Sequence, residues 1–118
     1  MSVVEQYARA HILTDDDIRR QDEDAVQVAL RYDPGADPRS LRVGLPGARE
    51  WTVPRSLLEE GLRVPAGTGE VRVWPCGRVQ TVVEFHSPRG VSVVQFETRT
   101  LLRFLRRTYA AATPVTHR

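Results

Sequence analysis

The 118-residue chain carries seventeen basic side chains, all of them arginine, against fifteen acids, for a net charge of +2. One cysteine, Cys76, and three scattered histidines, His11, His86 and His117, exclude an internal disulfide and a closely spaced zinc ligand set. With no apolar run of about 18 residues to span a bilayer and no basic-then-apolar leader, the expectation is a cytoplasmic protein with one domain over residues 1–112 and a flexible tail at 113–118.

Residues 1–13 fit two patterns. Val4, Tyr7, Ala8, His11 and Ile12 make a helical face, while Val4, Ala8, Ala10 and Ile12 line one side of a strand. Thr14 to Asp24 is charged with a single apolar residue, as in a surface loop. In AVQVALRY the alternation of Val26, Val28, Leu30 and Tyr32 predicts a strand. DPGADP reverses the chain, RSLRVGL supplies the antiparallel partner, and REWTV adds a further short strand bearing Trp51 and Val53.

Pro54 suits the first position of a helix, and PRSLLEEGL closes on Gly61, read as a left-handed C′ residue that lets Leu62 pack on Leu57. Gly67 and Gly69 then act as hinges into a strand. Three strands follow, EVRVW, VQTVVEFH and VSVVQF, the last two joined as a hairpin by Ser87-Pro88-Arg89-Gly90. In the first of them Val71 and Val73 face one side and Arg72 and Trp74 the other. From Glu97 to about Tyr109 the period becomes helical. Leu101, Leu102, Phe104, Leu105 and Tyr109 share one side, and Arg99, Arg103, Arg106 and Arg107 lie opposite. The order is sheet then helix, twice.

Catalytic chemistry finds little support in this pattern. Gly67-Thr68-Gly69 follows a helix and precedes a strand, and the chain has no lysine, so it is no phosphate loop. Cys76 sits at a turn with no histidine in local sequence, and His86 is the one that could approach it in space. Asp15, Asp16 and Asp17 read as a solvated charge run, without the glycine-spaced frame of a calcium loop. The arginines of the last helix read most simply as a solvated face. As a binding surface they would hold nucleic-acid phosphates, acidic protein or anionic lipid, with few aromatics interleaved for base stacking. Trp51 and Trp74 read as core or interface anchors.

The runs LRYDPGADP, EWTVPRSLLEEGLRVPAGTGEVRVWP, SPRG and LLRFLRRTYAA, over roughly residues 25–112, resemble the SsgA-like proteins, sporulation and cell-division regulators of actinomycetes. The most specific part is the linked block of Trp51, Leu57-Leu58, Gly61, Gly67-Thr68-Gly69, Val71, Val73, Trp74 and Pro75. The resemblance implies an α+β, Whirly-like fold of two antiparallel sheets, each followed by a helix, assembled as a homotrimer, and it tips the N-terminal segment toward a strand. It further implies a non-enzymatic scaffold at division septa that engages division machinery such as the tubulin-like protein FtsZ or another family member. Neither cofactor nor metal nor small-molecule substrate is expected, and the membrane is reached only indirectly. A single-stranded nucleic-acid binder is the alternative. Arg72, Trp74, Arg99, Arg103, Arg106 and Arg107 are the candidate partner or subunit contacts.

Overall fold

The computed structural model describes residues 3–13, 25–47 and 50–112. The acidic loop expected at 14–24 and the tail at 113–118 lie outside the described residues.

The chain runs through β1 (Val4–Leu13), β2 (Ala25–Tyr32), β3 (Ser40–Gly44), β4 (Glu50–Pro54), α1 (Arg55–Gly61), β5 (Ala66–Thr68), β6 (Val71–Cys76), β7 (Gln80–Ser87), β8 (Gly90–Glu97) and α2 (Thr98–Ala112). The N-terminal segment is a strand, with Val4, Ala8 and Ala10 buried on one side and Glu5, Tyr7 and Arg9 exposed on the other. The α+β class and antiparallel pairing hold, but the expected two sheets are one. Its order is β4-β3-β2-β1-β8-β7-β6-β5. The halves fuse because β1 pairs on one side with β2 and on the other with β8, Ala10 lying opposite Phe96 and Leu13 opposite Val93.

The sheet curls strongly. In the strand order β4 and β7 are five places apart, which in a flat sheet is roughly 24 Å. Yet the Trp51 and Phe85 rings meet with centroids 4.9 Å apart. Curling wraps the inner face, with Leu30, Tyr32, Leu41, Val73, Phe85 and Phe96, around Leu57 and Leu58 of α1 and Leu101, Phe104 and Leu105 of α2 in one buried cluster. Each such side chain stabilises the fold by about 1.5–3 kcal/mol relative to an exposed one.

Four strands follow α1 where the spacing predicts three. The additional one, β5, contains Gly67, which is a paired strand residue opposite Arg72 and not a hinge. Gly69 does turn the chain. Its φ of 56° sits at the first central position of the two-residue β5–β6 turn, where a type II′ hairpin needs a positive value. The Pro88-Arg89 hairpin joins β7 and β8 as expected, with Ser87 opposite Gly90.

Pro54 is the N-cap of α1, one residue ahead of the first helical position. Gly61 is not a left-handed C′ residue; it is the last helical residue, and Leu62 after it is also right-handed, with φ −71° and ψ −19°. The glycine is needed for contact: a Cβ there would lie 2.3 Å from the Val73 side chain. In α2 Leu102 is exposed, not part of the core side, and Thr108 takes the buried place. Thr108 does so at little cost because its hydroxyl donates to the Leu105 carbonyl at 2.7 Å.

Candidate functional site

Alternation along β6 places Val71 and Val73 inside, and Arg72 and Trp74 on the outer face, as the pattern predicts. Among the described residues no helix covers that face at β6 and β7, since α1 and α2 both bury their apolar sides in the inner cluster. Trp74 is half-buried, so it is not the core anchor that its size suggests. It lines a groove of about 660 Å³ together with Pro65, Ala66, Gly67, Thr68, Gly69, Arg72 and Glu84. The small residues of β5 form one wall, and the indole and the Arg72 side chain stand on its floor strand.

Glu84 organises this groove, and the sequence reading passed it over. It lies opposite Arg72 in the β6–β7 register, and its Oε2 accepts the Trp74 indole N–H at 2.7 Å. Its other oxygen, Oε1, lies 2.9 Å from Nε2 of His86, two residues along the same strand face. Burial opposes ionisation of Glu84. The His86 and Trp74 hydrogen bonds, aided by the charges of His86 and Arg72, outweigh it and hold the carboxyl below its ordinary value of 4.5. The readable signal was Glu84-x-His86, which strand alternation puts on one face. The Trp74 contact required the register.

Val82, the register partner of Trp74, stands outside the inner cluster yet is buried at 1% exposure, so its outer-face neighbours already cover it.

Arg99, Arg103 and Arg106 project from α2, which packs on the inner face, so the structure separates them from Arg72 and Trp74. All three are exposed. Arg107 differs, because its guanidinium donates to the Glu5 carbonyl at 3.2 Å and to Gln6 Oε1 at 3.1 Å, tying α2 to β1. It serves the fold.

Cys76 and His86 form no dyad. Cys76 pairs with Gln80 at one end of the β6–β7 ribbon and His86 stands at the other, roughly 20 Å along the strand. Among the described residues no cluster of three or more His, Cys, Asp or Glu side chains is disposed to hold a metal ion, and no helix is long and apolar enough to cross a membrane.

A family model described as Streptomyces sporulation and cell division protein, SsgA, matches residues 26–116. The sporulation-specific cell division protein SsgB of Frankia casuarinae is 42% identical over 94 residues, covering 73% of this chain and 64% of that protein. SsgB of Streptomyces coelicolor is 42% identical over 98 residues, covering 77% of this chain and 71% of its own length. The chain thus spans about two thirds of the length of these relatives. A solved structure concerned with SsgB and longitudinal cell division during sporulation of Streptomyces coelicolor superposes with a TM-score of 0.76 at 34% identity, over 93% of this chain and 86% of that one. An SsgA-like sporulation-specific cell division protein from Thermobifida fusca gives 0.73 at 24% identity, over 93% and 82%, a likeness of fold.

Proposed function

Since this chain belongs to the SsgA family of sporulation and cell division proteins, we propose that it is a non-enzymatic, protein-binding component of sporulation septation. Relatives that match it over most of its length bear names in sporulation-specific cell division, which supports a role in that process. The observation that carries the binding role is the outer sheet face that neither α1 nor α2 covers, where Glu84 fixes the Trp74 indole beside Arg72 in an open groove. An aromatic anchor held in one orientation loses little entropy on burial, the property that makes tryptophan a frequent hot spot at interfaces.

In this reading residues 1–112 act as one cytoplasmic unit of Whirly-like fold that associates into a homotrimer. The half-buried Trp74 indole, on the outer face of β6, is the place to look for the subunit contact. The assembled protein engages division machinery at the septum, the tubulin-like FtsZ or another family member being the partner class.

Light scattering coupled to size exclusion at micromolar concentration tests assembly, and three times the monomer mass is the expected result. A fluorescent fusion expressed in a sporulating host tests the role. Ladders of signal at septa are expected, and diffuse signal through septation would overturn it.

A further inference from the structure

The charge of this chain is sorted. Four of its seventeen arginines and none of its fifteen acids lie in α2, so the helix carries +4 while the remainder, thirteen arginines against fifteen acids, carries −2. A surface helix ordinarily interleaves Glu and Lys or Arg at i, i+4 spacing, where opposite charges stabilise it and like charges destabilise it. Here Arg99–Arg103 and Arg103–Arg107 are like pairs at i, i+4, and Arg103–Arg106 is one at i, i+3. Arg107 is held by β1, but among the described residues Arg99, Arg103 and Arg106 have no ion-pair or hydrogen-bond partner.

At 100° per residue these three arginines form one narrow stripe, bordered on one side by Leu102 at 39% exposure and Tyr109 at 38%. An unpaired cationic stripe edged by an apolar one is the complement of an amphipathic helix whose acids adjoin its leucines. With fifteen residues, α2 is about 22 Å long, room for four turns of such a partner.

Resting on the reading of this chain as a protein-binding component, we infer that α2 is a docking face for an acidic amphipathic helix of a partner protein. Nucleic acid fits less well. Single-strand binders stack successive bases on several exposed rings, whereas α2 offers only the Tyr109 ring, one face of which the Arg55 guanidinium occupies at 4.2 Å, and Phe104 is wholly buried. Two exposed apolar side chains are also too few to seat a helix in a lipid interface.

The test uses the full chain and a fluorescein-labelled 20-residue peptide with glutamates in one stripe and leucines beside it. A scrambled peptide of equal composition and a 20-nucleotide oligo-dT serve as the other probes, with anisotropy as the readout. The patterned peptide is expected to bind at least about tenfold more tightly than either, and to weaken at least about threefold on raising salt from about 50 to 300 mM. The variant R99E/R103E/R106E should lose about tenfold or more and Leu102→Ala about threefold, both with melting curves no lower than the parent's. Equal binding of the scrambled peptide, tighter binding of oligo-dT, or no binding of the patterned peptide would overturn the proposal. Septal placement of the same variants separates the two readings. A wild-type fusion at septa with no peptide binding sinks only the helix-docking face, and a diffuse wild-type fusion sinks the septation role itself.

Discussion

The Arg55 guanidinium lies 4.2 Å from the centre of the Tyr109 ring and 5.2 Å from that of Tyr32, so the first residue of α1 is clasped between the last turns of α2 and the end of β2. It also donates to the Tyr32 hydroxyl at 3.3 Å and to the Thr108 carbonyl at 3.4 Å. A planar, permanently charged fork can stack and donate together, which a lysine ammonium cannot. Arg55→Ala is expected to cost about 1–2 kcal/mol and Arg55→Lys to recover less than half of that, read by urea denaturation at neutral pH.

Contact between Trp51 and Phe85 closes the curl of the sheet, so their substitutions should be coupled. Phe85→Ala should cost about 3–5 kcal/mol and Trp51→Ala less, since Trp51 keeps part of its surface in water. A double-mutant cycle should return about 0.5–1.5 kcal/mol of interaction, the range for an aromatic pair beyond its buried area. A coupling near zero would mean that the sheet is curled by the helices alone.

Acid should loosen the groove. Because the folded Glu84 carboxyl is held below its ordinary value of 4.5, the stability it contributes is present above that value and is lost as pH falls through the lower folded one. Trp74 fluorescence, followed in a Trp51→Phe background, should therefore shift reversibly below about pH 4.5, where the carboxyl begins to protonate. Glu84→Gln should show the shifted spectrum at neutral pH and abolish this transition. Trp74→Ala should leave the melting temperature closer to the parent's than Phe85→Ala does, because the indole is only half-buried.

Position 61 should be intolerant of even a methyl group. A Cβ there would meet the Val73 side chain at 2.3 Å and the Val73 carbonyl at 3.0 Å, and Val73 is wholly buried and cannot step aside. Gly61→Ala should cost about 1–3 kcal/mol, the scale of overpacking, despite the better helix propensity of alanine. Val73→Ala should restore part of the loss by opening the space, and calorimetric melts of the two single variants and the double one decide it.

What could be read from sequence followed from short periods. Val28, Leu30 and Tyr32 or Val71 and Val73 announce strands because a two-residue repeat leaves one face to bury, and the α2 residues announce a helix in the same way. Ala66-Gly67-Thr68 has no such repeat, so β5 was invisible until its register with β6 appeared. The single sheet was hidden for a different reason: pairing of β1 with β8 joins distant segments and leaves no local mark. Gly61 fits two causes in the sequence, a left-handed turn after a helix and a close contact, and only its packing on Val73 separates them. At the groove, Arg72 and Trp74 were legible as a shared face, whereas the Glu84 anchor depends on which β7 residue stands opposite Arg72.

The position of β1 sets a timetable for biosynthesis. It precedes the other seven described strands in the chain and yet it ends between β2 and β8, near the middle of the ladder. Until β8 has been translated, the nascent chain offers the unsatisfied side of β1, with the amides around Ala10 to Leu13, to any extended peptide nearby. Completion of the sheet thus waits on β8, and a ribosome stalled before it releases a fragment poised to associate wrongly.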